Sequence, residues 1–512
     1  MSMIDSASNQ APTMQDVMQP MPATPPPITT AHHEHHERVR LPRLGLRISE
    51  RRFVLAFLDI LLLNAALIVA LALFTEFEPT VSNIAAYSKW FIVLTAVWCV
   101  CALFFDCYDL ARAASASAST KSALFAALAT MLIYTFIPYV TPPLTSRGLI
   151  LYFALFTAGS IVTWRVVYAK LFVQPWIQQR ALVIGAGKAG QALISAIQAA
   201  SANDANPNRG TGYQLVGVID DDPARRGEMI EGVPVLGDHG SIVHVAKTLR
   251  VDEIIVAITH HHAIADELFD ALLHCREAGL RITMMATVYE RLTGRVPIDH
   301  VGRDLGMVVP TSDNAGERLY QLTKRLVDIV SALVGLTLMS IMIIPIAICN
   351  AKDSPGPLFY KQRRVGQGGK IIEVYKFRSM RPDAEKGTGA VWAKKNDDRI
   401  TPIGRILRKT RLDEMPQFIN VLKGEMSLIG PRPERPEFVN ALSLMLPFYR
   451  ARHAVKPGIT GWAQIRYGYG STNDDSHVKL EYDLYYVKHA SPVLDTMIIL
   501  QTLPVMLLGK GT

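Results

Sequence analysis

Charge is scarce in this 512-residue chain: Asp, Glu, Lys and Arg make up 19%, against 49% hydrophobic residues. That balance excludes a disordered protein and is poor in charge for a purely soluble one. Cysteine is scarce too. Of the five, Cys99, Cys101, Cys107 and Cys349 lie in or beside apolar runs and Cys275 stands alone, which excludes a disulfide framework. No long apolar run precedes residue 53, so a cleavable signal peptide is not expected. Membrane segments are therefore sought before any fold.

Four apolar runs are present, about Phe53–Phe74, Trp90–Cys107, Ser122–Val140 and Gly148–Val167. Each has the length that crosses a ~30 Å hydrocarbon layer as a helix. Residues 1–52 before them form a Pro- and Met-rich tail ending in basic residues. Its cluster His32, His33, His35 and His36 reads as solvated polar chain rather than a metal trap. Arg38, Arg40, Arg43, Arg47, Arg51 and Arg52 precede the first run, and Glu76 and Glu78 follow it with only Lys89. Arg112 and Lys121 follow the second run, and Arg165, Lys170 and Arg180 lie at or beyond the end of the fourth. Basic residues gather on the cytoplasmic side, so both ends of a bundle over 53–170 are expected there. Asp59, one to two turns into the first run, is expected to meet a lipid headgroup or a neighbouring helix.

Residues 178–310 change rhythm. Strands are expected at Arg180, Tyr213, Val233, Glu253 and Arg281, with a helix over Ala263–Ala278, which predicts a parallel sheet in a Rossmann-like α/β domain. Gly185, Gly187 and Gly190 form GxGxxG between the first strand and a helix. Such a turn offers free N–H groups to a pyrophosphate. The acid that would hold a ribose is sought about 20 residues on, whereas Asp220, Asp221 and Asp222 lie 30 or more past Gly190. The three glycines are therefore nucleotide-binding candidates, and a structural or regulatory module is the favoured reading. No Tyr-x-x-x-Lys pair of dehydrogenase type accompanies them.

From Ala351 onward, 26 Lys+Arg face 16 Asp+Glu, whereas the rest of the chain has 27 against 29. A basic region reads as a partner for phosphates or an anionic membrane face, and the apolar runs argue against nucleic acid. Tyr360-KQRRVGQGGK predicts a basic hairpin, and Val374-YKFRSM a strand with Lys376 and Arg378 on one side. Thr401-Pro402 predicts a helix start, with Arg405, Arg408 and Lys409 on one face. Asp413 and Glu414 follow, then Arg432 between Pro431 and Pro433, which fix φ on either side. A carboxylate can attack phosphorus, arginine forks grip phosphate, and Mg²⁺ held by one or two carboxylates bridges diphosphate oxygens.

These residues carry a resemblance. Lys324-Arg325-x-x-Asp328, the SPGP at 354–357, Tyr360-x-x-Arg363-Arg364-x-Gly366, Lys376-FRSM, Arg408-KTRLDEMPQ, Asn420-VLKGEMSLIGPRP, Lys456-PGITGWAQ and Tyr482-DLYYVKHAS are similar to the bacterial sugar transferase family. These are polyprenyl-phosphate hexose-1-phosphate transferases that open exopolysaccharide, capsule and O-antigen synthesis. The match covers about 317–512, and the four helices plus Rossmann-like domain resemble the long members more loosely. The resemblance implies transfer of hexose-1-phosphate from a UDP-hexose to undecaprenyl phosphate, with UMP released. Asp413 would be the nucleophile of a phosphosugar-enzyme intermediate, and Glu414 would share Mg²⁺ with it. Lys376, Arg378, Arg408 and Arg432 would bind phosphates, Arg378 more weakly. Where the family often has Ser before Leu-Asp-Glu, this chain has Arg411. Gln417, Trp462 and Gln464 match family motifs and read as structural.

A last apolar run, about Ser331–Cys349, raises a question of topology. A fifth full span would put Asp413 outside, away from nucleotide sugars. Pro345 breaks a helix interior. A re-entrant helix-break-helix in the inner leaflet is therefore expected, in a mixed α/β membrane-associated catalytic domain. A homodimer through the soluble domain is a further expectation. Selectivity between glucose and galactose is sought at 467–475. The rivals are a membrane-anchored nucleotide-sugar dehydratase, which lacks its Tyr/Lys pair, and a non-catalytic assembly protein.

Overall fold

The computed structural model describes residues 48–507 apart from 138, 140, 143–146, 172–177, 200–211, 260–263, 302–305, 307–314, 383, 385–396 and 468–471. The histidine cluster of the tail and part of the 467–475 stretch lie outside the described residues.

The first four apolar runs are helical. They form α1 (Ile48–Phe74), α3 (Ser88–Phe104), α5 (Ala116–Thr135) and α6 (Arg147–Leu171), with short turns α2 (Val81–Ala86) and α4 (Leu110–Ala113) between them. Inward faces bury Leu63, Leu67, Leu71, Leu94, Trp98, Ala123, Ala127, Phe153 and Ile161. Outward faces are apolar too, with Phe57, Leu61, Leu128, Leu132, Leu151 and Leu155 more than half exposed. A bundle greasy on both sides has lipid as its solvent. Three of these helices are long and apolar enough to cross a membrane, and α3, at 17 residues, is shorter. Helix α5 starts six residues earlier than expected, because its Ala/Ser-rich first turns are good helix but weakly apolar. Asp59 meets the neighbouring helix: its carboxylate pairs with Arg165, both fully buried, and Arg165 Nη1 donates to the Cys107 carbonyl at 2.8 Å.

The middle region is a six-stranded sheet. Its strands are β1 (Gln179–Ile184), β2 (Tyr213–Ile219), β3 (Met229–Ile230), β4 (Val233–Gly237), β5 (Glu253–Val256) and β6 (Arg281–Met284). The order is β3-β4-β2-β1-β5-β6, parallel except for the edge strand β3. Helices α7 (Lys188–Ala199), α8 (Ile242–Thr248), α9 (Asp266–Glu277) and α10 (Met285–Thr293) connect and flank it. The fifth expected strand is cut short. The apolar run after Arg281 fits strand or helix equally, and from Met285 it is α10. One core of the sheet packs with Leu55, Ala113 and Tyr168 at one end of the bundle.

A 39-residue helix, α11 (Ala315–Asp353), leads into the last region. It continues through Pro345 as one element, so the expected break does not divide it. Beyond it lie the hairpin β7 (Phe359–Val365) and β8 (Ile371–Phe377), then α12 (Pro402–Lys409), α13 (Phe418–Lys423) and β9 (Ser427–Ile429). These are followed by α14 (Pro436–Met445), β10 (Gly458–Thr460), α15 (Trp462–Arg466), α16 (Asn473–His489) and α17 (Pro492–Leu507). Both halves of α11 are tied to this region. Asp328 Oδ1 accepts from Ser427 Oγ and Leu428 N at 2.8 Å each, and Lys324 Nζ reaches Asp495 at 2.8 Å. At the other end the Ile403 N–H donates to Asp353 at 3.0 Å.

Candidate active site

Three local structures bring the expected residues together. The hairpin pairs Tyr360 with Lys376 and Val365 with Ile371, which puts Lys376 near the end of β8. Fully buried Asn420 pins that strand: its Oδ1 accepts from Tyr375 N at 3.2 Å and its Nδ2 donates to the Glu373 carbonyl at 2.7 Å. Thr401 caps α12 as the Thr-Pro signal predicts, its Oγ1 accepting from Gly404 N at 3.0 Å. Arg411, at φ 55°, turns the chain from α12 into a 3₁₀ segment, Leu412–Gln417, that carries Asp413 and Glu414. Arg432 comes from the loop after β9.

Glu414 is the hub. Its Oε1 accepts from Lys376 Nζ at 3.0 Å and Arg432 Nη2 at 2.8 Å. Its Oε2 lies 3.5 Å from Arg411 Nη1, so the unexpected charge at that position joins the site. Burial alone would raise the Glu414 carboxyl, but Arg432 and Lys376 hold it well below the usual carboxylate range. Asp413 differs. It is 9% exposed and makes no hydrogen bond among the described residues. Burial and then the neighbouring Glu414 charge push it up to about 6, against the pull of Lys376, Arg408 and Arg432. The guanidinium of Arg408, half-buried, also has no hydrogen bond or ion pair among the described residues. The site thus holds one paired carboxylate, one unpaired carboxylate, and cations around both.

Arg378 is not brought to this cluster. Its guanidinium turns to the carbonyls of Ser354 and Pro355 and to Asn350 Oδ1, 6% exposed, and ties the hairpin to the end of α11. Residues two apart share a face only within a strand, and β8 ends at Phe377. Trp462 Nε1 donates to the Gly294 carbonyl at 2.8 Å and Gln464 Nε2 to the Ile459 carbonyl at 3.2 Å, while Gln417 is buried beneath the site. Arg411 and Asn420 were readable as roles only in part. A charge where a small residue is usual marks the first, and an Asn in an apolar helix the second.

The donor set bears on Mg²⁺. Among the described residues no three His, Cys, Asp or Glu side chains gather as a metal cage. A Mg²⁺ that takes one or two carboxylates and completes its shell with substrate phosphates needs less. The unpaired Asp413 carboxylate fits such a shell. Glu414 fits only by yielding one of its cations.

The glycine turn is the second candidate. Gly185 has φ +104°, and a Cβ on Gly190 would collide with the Gly185 carbonyl oxygen, so both glycines serve close packing of α7 on β1. Gly187 faces open space. Asp220 does stand directly after β2, because the extra residues fall between α7 and β2. Its carboxylate is engaged, however: Oδ2 accepts from Ala186 N at 2.6 Å and Oδ1 from Asp222 N at 2.9 Å.

Comparison with known proteins places the region of the first site in a known family. Residues 319–509 match the bacterial sugar transferase family, and residues 103–286 a CoA-binding domain family. A Rhizobium leguminosarum bv. phaseoli exopolysaccharide production protein is 43% identical over 194 residues, 37% of this chain and 97% of that one. The chain belongs to the bacterial sugar transferase family. Two longer relatives extend the match. An Aeromonas hydrophila UDP-N-acetylgalactosamine-undecaprenyl-phosphate N-acetylgalactosaminephosphotransferase is 41% identical over 51% of this chain and 60% of that one. A Xanthomonas campestris pv. campestris UDP-glucose:undecaprenyl-phosphate glucose-1-phosphate transferase is 32% identical over 56% and 59%. The match thus spans about three fifths of those two relatives. A solved Rex-family repressor, 18% identical over 27% of this chain and 68% of that one, has a TM-score of 0.18, at which the likeness carries no argument.

Proposed function

We propose that this chain transfers hexose-1-phosphate from a UDP-hexose to undecaprenyl phosphate, opening exopolysaccharide, capsule or O-antigen synthesis. The observation that carries this is the unpaired Asp413 carboxylate amid Lys376, Arg408 and Arg432. An Asp413 oxygen attacks the sugar-bearing phosphorus of the donor. The bond from that phosphorus to the bridging oxygen breaks, and UMP leaves with the electron pair. A phosphate oxygen of undecaprenyl phosphate then attacks the same phosphorus. That displaces Asp413 and yields undecaprenyl-diphosphate-hexose. Arg408 and Arg432 grip donor oxygens, and Lys376 with Arg432 keeps Glu414 ionised beside them. Mg²⁺, when bound, neutralises diphosphate charge.

A cytoplasmic active site with α11 re-entrant belongs to the same reading. A full crossing would separate the two soluble regions, yet Glu290 on α10 accepts from Lys488 Nζ and pairs with His489 Nε2 on α16, each at 2.8 Å. Gln501 on α17 donates to Asp106 beside the end of α3. Attachment of α11 at both ends to one region supports both ends lying on one side of the membrane, and a dip would require the unbroken helix to bend at Pro345. The strand order about β1 supports the Rossmann-like reading of the middle region. A homodimer through that region is tested by mass photometry of detergent-free particles.

The deciding experiment measures UMP release from UDP-glucose, UDP-galactose and UDP-N-acetylgalactosamine, with undecaprenyl phosphate and Mg²⁺, for wild type and Asp413→Asn. UMP from wild type alone supports the reading and names the sugar. UMP from both displaces Asp413 as nucleophile. UMP from neither, across the donor panel, favours a non-catalytic role.

A further inference from the structure

Arg432 is held at both ends. Its guanidinium reaches Glu414, and its main chain belongs to a segment whose successive carbonyls are all taken by donors from elsewhere in the chain, two of them on β7. The Pro431 carbonyl accepts from Gly458 N at 3.0 Å, that of Pro433 from Arg364 Nη1 at 2.9 Å, and that of Glu434 from Val365 N at 2.9 Å. The Arg432 carbonyl itself accepts from Arg452 Nη2 at 3.0 Å. Arg452 is 6% exposed. Its Nη1 donates to Tyr449 Oη at 2.7 Å, and its Nη2 also reaches Asp483 Oδ2 on α16 at 2.6 Å.

We propose that Arg452, seated by Asp483 and Tyr449, is a positioning residue that fixes Arg432 for the donor's phosphates. The proposal rests on the reading of the site given above. Prolines on either side set φ at 431 and 433 but leave open where the loop sits. A planar guanidinium serves a hydroxyl, a carboxylate and a carbonyl from nitrogens held apart in a rigid fork, whereas the three donors of a lysine radiate from one atom on a flexible stem. A buried ion pair is a poor device for stability alone, since apolar replacements of similar volume are often as good. Here the same guanidinium that neutralises Asp483 also holds the main chain of the phosphate-binding arginine.

The test is a double-mutant cycle read by equilibrium binding of UDP with Mg²⁺ to the full chain in nanodiscs. Its members are wild type, Arg452→Lys, Arg432→Ala and the double variant, each with its thermal transition recorded. Arg452→Lys is expected to weaken UDP binding about tenfold, and the double variant to match Arg432→Ala within about twofold. Arg452→Lys binding like wild type, or a double variant weakened by the product of the two single effects, overturns the proposal. Should Arg452→Lys lose its thermal transition, Tyr449→Phe in the same cycle decides. It removes one anchor and keeps the charge, and about threefold weaker binding is expected, with unchanged binding overturning the proposal. A folded wild type that does not bind UDP instead overturns the reading of the site itself.

Discussion

Two regions of this chain carry a motif of the kind that binds phosphates, and they use their polar groups in opposite ways. In the glycine turn the acid at the strand end has turned inward. Asp220 closes on the Ala186 N–H, one of the donors such a turn would offer a ligand, and on Asp222 N. In the catalytic region the acids divide the work. Glu414 absorbs Lys376, Arg411 and Arg432, which leaves the side chains of Asp413 and Arg408 without a hydrogen-bond or ion-pair partner among the described residues. Buried polar groups are normally satisfied from within. A charged group in a cleft that is not satisfied is a reason to look for a ligand. The lesson is that a motif's spacing says which groups could bind, while the bonds already made say which remain able to.

The comparison breaks most sharply at Asp413. Asp413→Asn is expected to cut UMP release by about a thousandfold or more while UDP affinity stays within a few fold, since a nucleophile is lost and a phosphate grip is not. Equal losses in both would make Asp413 a binding residue. Lys376→Met is expected to lose about ten- to a hundredfold, because it frees Glu414 from one of its two close cations. Free-enzyme pH dependence follows the same logic. Asp413 must be ionised to attack, so kcat/KM for the donor is expected to rise with pH through about 6. A flat profile between pH 5 and 7 would contradict the unpaired carboxylate.

The glycine turn sharpens the comparison from the other side. Gly190→Ala forces a Cβ against the Gly185 carbonyl and is expected to destabilise the chain by about 2–4 kcal/mol. Gly187→Ala meets open space and is expected to change stability by less than about 1 kcal/mol. Thermal unfolding in nanodiscs reads both. UMP release by Gly187→Ala is expected to equal that of wild type, and a marked loss would mean that the turn holds something the transferase reaction needs.

Much of this was legible in the sequence wherever one short stretch fixes its own geometry. Thr401-Pro402 caps its helix, the Tyr360 hairpin forms in register, and GxGxxG lies between strand and helix. What was not legible depended on distant partners. Arg378 sits two residues from Lys376, but carbonyls at the end of α11 claim it. Asp220 lies farther along the chain than the usual spacing of a ribose-binding acid, although parallel pairing of β2 with β1 brings it to the turn. Arg452 and Asp483, 31 residues apart, carried no signal, because Arg452 lies between Arg450 and His453 in a basic stretch and Asp483 is two residues past Glu481. Sequence separation is a poor guide wherever a strand or a helix returns the chain to the same place.

A further variant asks whether the two regions are coupled. Glu481 on α16 lies against the chain that follows α10, its Oε2 3.4 Å from Arg295 Nη1 and its carbonyl accepting from Val296 N at 3.1 Å. Burial pushes its carboxyl up to about 7, although Arg295 pulls the other way. Between the unfolded value near 4.5 and 7 the folded chain therefore binds the extra proton. Stability from this group is complete below about pH 4.5 and is lost as pH rises through 7. Glu481→Gln, which mimics the protonated form, is expected to match wild type at pH 5 and to exceed it by about 2 kcal/mol at pH 8. Denaturant unfolding at the two pH values reads the difference. A constant offset would mean that Glu481 stays ionised throughout and that Arg295 outweighs burial at this junction. If the offset opens as pH rises from 5 through 7, the glycine-turn region and the region that carries Asp413 share a proton-sensitive contact.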